Sequence, residues 1–228
     1  GRDALLFSAA TDENRHMAPA TLYKVFYPSR KASDVALTDT TAPPTVAAQA
    51  VQAAKIYGEG DTEVRALDGV DVQLVKGQFT AIMGPSGSGK STLMHCLAGL
   101  DELTSGSVWI EGTNLTELKE KDLTKLRRDR VGFVFQAFNL IPTLTAEENI
   151  VLPLSLAGAD ADRSWFDEVV TTVGDGNRLQ HRPSELSGGQ QQRVAVARAL
   201  ASKPAIIFAD EPTGNLDSHS STEILEFM

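Results

Sequence analysis

Residues 79–92 read Phe79-Thr80-Ala81-Ile82-Met83-Gly84-Pro85-Ser86-Gly87-Ser88-Gly89-Lys90-Ser91-Thr92, an apolar run that breaks into a glycine-rich loop with one lysine. The run Phe79–Met83 has the continuous apolarity of a strand buried on both faces. Gly84 to Ser91 fits G-x-x-x-x-G-K-[ST], and the chemistry explains each place. Gly84, Gly87 and Gly89 admit backbone angles closed to other residues, so successive N–H groups can turn inward around phosphate oxygens. Pro85, Ser86 and Ser88 fill out the loop. A helix expected over Ser91–Leu100 turns its positive N-terminus on the same anion. Lys90 brings a point charge to the β- and γ-phosphates, and the Ser91 hydroxyl can ligate Mg2+, with Thr92 beside it in the first turn. A plain Gly/Ser turn is the bland alternative. The strand before it and the helix after it favour phosphate.

A second apolar strand, Ala205–Ala209, delivers two carboxylates at its C-terminal end, Asp210 and Glu211. Ligands of parallel α/β sheets gather outside that edge. Asp210 suits an outer partner for hydrated Mg2+. Glu211 projects differently because strand side chains alternate, and it could polarise an attacking water as general base. A polar strand terminus is common, but beside a phosphate loop the pair reads as catalytic.

Working outward, short strands are expected at Val51–Tyr57, Val70–Leu74, Val108–Ile110 and Val131–Phe135. Helices are expected at Leu115–Arg130, Trp165–Val173 and Gln190–Ala201. Alternating strands and helices predict an α/β fold with a largely parallel sheet. Residues 1–49 show no sustained period and end in a Thr/Ala/Pro-rich stretch, which reads as tail or linker. Residues 50–228 form the patterned domain. The cluster Lys119, Lys121, Lys125, Arg127, Arg128 and Arg130 invites a nucleic-acid reading. Interleaved Glu117, Glu120, Asp122 and Asp129 make it a solvated helix face instead. The net charge of −9 also argues against nucleic acid as a partner.

Cys96 is the only cysteine, which excludes an internal disulfide and fits a reducing compartment. It reads as a small buried hydrophobe rather than a reactive thiol. No stretch approaches the roughly 18 consecutive apolar residues of a membrane span. Ala4–Ala10 is too short for a signal peptide and leads into charge. A cytoplasmic location is expected. His16, His95, His181 and His219 lack metal-ligand spacing and receive no role.

Leu186-Ser187-Gly188-Gly189-Gln190-Gln191-Gln192-Arg193 opens the next helix with two glycines behind a serine, a second anion-cradling helix start without a lysine. Ser187 as an ordinary N-cap is the alternative. On these three elements together the chain resembles the ABC ATPase family over roughly residues 50 to 228. The resemblance implies a P-loop NTPase fold of ABC type, with a mixed sheet core and a helical signature subdomain. It implies that Ser187, Gly188, Gly189 and Gln190 meet the γ-phosphate of ATP bound to a partner domain in a head-to-tail dimer. By the same resemblance Gln136 is the glutamine that links Mg2+ and water to a transmembrane partner. Asn215–Asp217 matches the family's D-loop, and Tyr57 stands where an aromatic stacks on adenine; a core tyrosine is the other reading.

The wording around Ile82–Leu93, Asn139–Asn149, Leu186–Arg193 and Asp210–Asp217 resembles the lipoprotein-release and macrolide-export branch, which also holds a cell-division member. The implied activity is ATP hydrolysis driving a permease, separate or fused, from the inner face of the plasma membrane. A regulatory ATPase that acts through a membrane partner without transport is the alternative. A DNA-repair type is disfavoured because no heptads separate Gln136 from Ser187. Intact Lys90, Gln136, Asp210 and Glu211 argue against a dead binding module. Arg193 and Arg198 are expected to anchor the signature helix to carboxylates. The family also carries a further strand, with a switch histidine, beyond the 17 residues (228 − 211) that follow Glu211. That strand belongs between the phosphate-loop strand and the acidic strand. The chain alone is therefore expected to be poorly stable and weakly active.

Overall fold

The structure is a computed structural model that describes residues 4–10, 21–23, 45–174 and 176–212. Asn215–Asp217, His16 and His219 lie outside the described residues. In chain order the strands are β1 (Ala4–Ala10), β2 (Thr21–Tyr23), β3 (Val46–Tyr57), β4 (Val64–Val75) and β5 (Phe79–Gly84). After helix α1 (Lys90–Leu97) come β6 (Ser105–Ile110), β7 (Thr113–Asn114), α2 (Glu120–Arg130) and β8 (Val131–Val134). The helices α3 (Ala146–Ala157), α4 (Arg163–Val173) and α5 (Gly188–Ala201) then lead to β9 (Ile206–Asp210).

Two sheets form. One has the order β2-β5-β1-β9-β8, with β2 antiparallel to β5 and the other pairings parallel. The other is antiparallel, in the order β4-β3-β6-β7. The first is the largely parallel, mixed core that was expected, and the antiparallel sheet stands beside it. The second half of β4 shows why, since Asp71 and Gln73 are exposed while Val72 and Leu74 are buried, as in a one-faced antiparallel strand.

Helix α1 lies between the sheets. Its Leu93, Met94 and Leu97 share a buried cluster with Ala48 and Val108 from one side and Ile82, Ile206 and Phe208 from the other. On the opposite face of the parallel sheet, Ile207 and Ala209 pack with Val196 and Ala199 of α5. A third cluster joins α3, α4 and α5 through Ile150, Phe166, Val169 and Val194, which is the helical subdomain the resemblance implies.

The N-terminal part departs from the expected tail. β1 pairs with β5 from Leu5 to Ala10 and with β9 from Ala4 to Ser8, and β3 begins at Val46 rather than near residue 50. A parallel strand takes its pairing from tertiary neighbours, and seven apolar or small residues without alternation carry no period to detect. β1 holds the position between the phosphate-loop strand and the acidic strand that the resemblance reserved for later sequence. The two inner strands are therefore paired. This removes the ground on which poor stability was expected.

α2 starts at Glu120, and Leu115–Glu117 forms a separate short 3-10 turn. The arginines of α2 meet carboxylates, with Arg127 on Glu120, Arg128 on Asp129 and Arg130 on Glu111, as a solvated face requires. Among the described residues no helix is long and apolar enough to cross a membrane.

Cys96 is 2% exposed, and burial pushes its thiol up to about 11. At pH 8 about one molecule in a thousand would carry the thiolate, against roughly one in ten for a thiol at the unshifted value of 9.0. Labelling of Cys96 by a maleimide is expected to run about 100-fold slower than in urea-unfolded protein. Equal rates would place Cys96 at the surface.

Candidate functional site

Four parallel strands end at one edge, so β5 hands over to the phosphate loop, β9 to Glu211 and β8 to Gln136 on the same side of the sheet. The loop geometry follows from its glycines. Gly87 and Gly89 hold φ of +77° and +85°. A Cβ on Gly89 would meet the Ala66 carbonyl oxygen at 2.4 Å, whereas one on Gly87 would meet nothing within 4 Å. Gly89 is thus required both for its angle and for the approach of β4.

Gly89 also caps α1 without a side-chain hydrogen bond, so the first-turn N–H groups stay available to an anion. Lys90 is 7% exposed, and its ammonium donates to the carbonyls of Gly84 (2.9 Å) and Pro85 (2.8 Å). It is held inside the loop. The Ser88 hydroxyl oxygen is buried and has no hydrogen-bond partner, an orphan that a phosphate oxygen would satisfy.

The acidic end meets the loop through strand alternation. Ile206 and Phe208 face α1, while Ile207 and Ala209 face α5. Asp210 continues the first series and turns to α1, where its Oδ1 accepts from the Ser91 hydroxyl at 3.1 Å. A hydroxyl and a carboxylate side by side are hard oxygen donors of the kind Mg2+ takes. Ser91 and Asp210 would hold that ion, which would neutralise charge on the phosphates. Glu211 has φ +45°, a left-handed angle that a non-glycine residue adopts at a cost of about 1–2 kcal/mol. Such strain is concentrated at functional sites, and here it falls on the residue just past the end of β9.

His95 is a residue that reading the sequence missed. Its Nε2 stands 3.7 Å from Asp210 Oδ2, and its ring lies 5.8 Å from that of Phe133. The available signal was spacing, because His95 follows Ser91 by one helical turn and shares its face. Helix α3 was missed as well. Its Thr145/Glu148 capping box announces it, and Pro153 argued against it.

The turn after β8 contains Gln136, which is exposed, and then two residues with positive φ, Phe138 (+58°) and Asn139 (+50°). Arg198 of α5 donates to both of their carbonyls, at 2.8 Å to Phe138 and 2.6 Å to Asn139. Its expected partners were carboxylates. A strained turn leaves carbonyls pointing outward, and these are the acceptors it finds. Burial pushes the guanidinium's pKa down, and arginine keeps its charge in proteins nonetheless. Arg198→Met is expected to cost about 2–4 kcal/mol in urea unfolding, with the amides of residues 136–141 losing protection from exchange first. Unchanged protection there would mean the turn is held by something else.

Ser187 accepts from the Gln190 N–H (3.3 Å) and donates its own N–H to Gln190 Oε1 (2.9 Å). That reciprocal cap fixes the start of α5 and leaves the N–H groups of Gly188 and Gly189 as the outward donors. The start of α5 belongs to the helical cluster, while the phosphate loop overlies the central sheet. Tyr57 closes β3 and is 41% exposed as a residue, and its hydroxyl donates to Asp101 Oδ2 at 2.6 Å.

With this geometry in place, comparison with known proteins adds the following. The model of the family described as "ABC transporter" matches residues 67–214. A lipoprotein-releasing system ATP-binding protein, LolD, of Alcanivorax borkumensis is 46% identical over 182 residues, 79% of this chain and 80% of that one. A macrolide export ATP-binding/permease protein, MacB, of Marinobacter nauticus is 50% identical over 174 residues, 75% of this chain. The match spans 27% of that longer protein. Among solved structures, the ATP-binding cassette MJ0796, a dimer in a post-hydrolysis state bound to ADP and Pi, superposes with a TM-score of 0.71 at 44% identity. The match covers 79% of this chain and 80% of that one.

Proposed function

This chain belongs to the ABC transporter family, and from that premise we propose that it binds and hydrolyses ATP to drive a membrane permease of the export or lipoprotein-release type. The observation that carries the reading is the 3.1 Å contact between Ser91 and Asp210, which joins the phosphate loop to the acidic strand end at one sheet edge. Lys90 and the loop N–H groups of 84–92 hold the triphosphate. Ser91 and Asp210, with Gln136 at the same edge, hold Mg2+. Glu211 takes a proton from the attacking water, and Tyr57 stacks on the adenine.

Ser187, Gly188, Gly189 and Gln190 meet the γ-phosphate held by a second copy, head to tail. The dimeric state of MJ0796 supports that arrangement, as does the placement of the two helix starts on different parts of this fold. The names of the LolD and MacB relatives support a permease partner, separate or fused, that brings the chain to the inner face of the membrane. Phosphate release from ATP by the purified chain, with and without Mg2+, tests the reading. Release that requires Mg2+ is expected; no release in either condition would refute hydrolysis.

A further inference from the structure

One carboxylate ties the exposed ring of Tyr57 to the helix that carries Lys90. Asp101 Oδ2 accepts from the Tyr57 hydroxyl, and Oδ1 accepts from Lys55 Nζ at 2.7 Å and from the Glu102 N–H at 2.8 Å. Lys55 also donates to the Glu102 carbonyl at 2.6 Å. Its ammonium stands 4.8 Å from the centroid of the Tyr57 ring, inside the distance at which a cation is drawn to an aromatic face. The Asp101 N–H donates to the His95 carbonyl near the end of α1.

We infer that Lys55 and Asp101 are positioning residues for the nucleotide base, holding the Tyr57 ring as a one-sided platform at a set distance from the phosphate loop. This rests on the reading of Tyr57 as the base-stacking residue. A tyrosine that ends a strand at the surface can turn about χ1 and χ2, and stacking on a mobile ring costs entropy. Here the hydroxyl is held by Asp101, and one face is covered by the Lys55 cation. Only the other face is left for a purine.

Lys55 has a side chain 13% exposed and Asp101 one 31% exposed, so the pair is partly withdrawn from water. Hydrogen bonding to Asp101 raises the Lys55 pKa against the burial that opposes it. For Asp101, burial works to raise the pKa, but the bonds from Lys55 and Tyr57 outweigh it and lower it. Both groups are therefore charged at neutral pH. Neither belongs to the loop of residues 84–92 that would hold the phosphates, so their effect should be confined to the base.

The test uses two ligands that share phosphates and differ in the base: ATP and inorganic tripolyphosphate, each titrated with Mg2+ into the full chain. Lys55→Met and Asp101→Ala are expected to weaken ATP about 3- to 30-fold and leave tripolyphosphate unchanged. Lys55→Arg, which keeps the cation over the ring, is expected to restore most of the ATP affinity. Equal loss of both ligands would show that the pair merely braces the fold and would overturn the inference, as would unchanged ATP affinity. Tyr57→Ala separates this inference from the reading beneath it. If that variant binds ATP as the parent does, the base platform itself is refuted; if it weakens ATP while Lys55→Met and Asp101→Ala do not, only the positioning role falls.

Discussion

Glu211→Gln is expected to lower the rate of ATP hydrolysis by about 10²–10⁴-fold, the usual worth of a positioned general base, while ATP still binds. Gln keeps the size and the hydrogen-bonding oxygen of Glu but cannot take a proton from water. The groups we propose for binding lie elsewhere, on Lys90, on the loop amides and on the Ser91–Asp210 pair. The left-handed φ of Glu211 is a backbone property and persists in the variant. Single-turnover phosphate release and equilibrium ATP binding, measured side by side, check both halves. A variant that hydrolyses at the parent's rate would remove Glu211 from the chemistry.

Gly89→Ala is expected to weaken nucleotide binding by on the order of 100-fold. Two costs add. An alanine at φ +85° pays about 1–2 kcal/mol for the left-handed region. Its Cβ would also sit 2.4 Å from the Ala66 carbonyl oxygen, and relieving such overpacking typically costs about 1–3 kcal/mol. The strain falls on the N-cap of α1, so the loop is where it is released, and about 2.7 kcal/mol lost there corresponds to 100-fold in affinity. Gly87→Ala is the control within the same loop. It meets open space and pays only for its angle, so the loss should be roughly 5- to 30-fold. If Gly87→Ala proved the more harmful, the close approach of β4 would not be what requires Gly89.

The phosphate loop and the acidic pair were legible because their chemistry is local. Glycines, a lysine and a hydroxyl at fixed spacing announce an anion cradle, and an apolar run ending in two acids announces a strand delivering carboxylates. Strand alternation even predicts that Asp210 and Glu211 diverge. What stayed hidden depends on distant partners. Ala4–Ala10 carries no period of its own, and only its pairing with β5 and β9 makes it a central strand. The grip of Arg198 on the Phe138 and Asn139 carbonyls spans 59 and 60 residues, and nothing near Arg198 in the chain foretells it. His95 lies between the two cases, since its helical spacing from Ser91 and the strand ending in Asp210 were both visible, whereas the packing that sets that strand beside α1 was not.

We propose that ATP is held between two copies of this chain, by the phosphate loop of one and Ser187–Gly189 of the other. Sedimentation velocity of Glu211→Gln with and without ATP tests it most directly. A dimer that forms with ATP and dissociates when Ser187 is changed to Arg is the predicted result. A protein that stays monomeric at saturating ATP would contradict it.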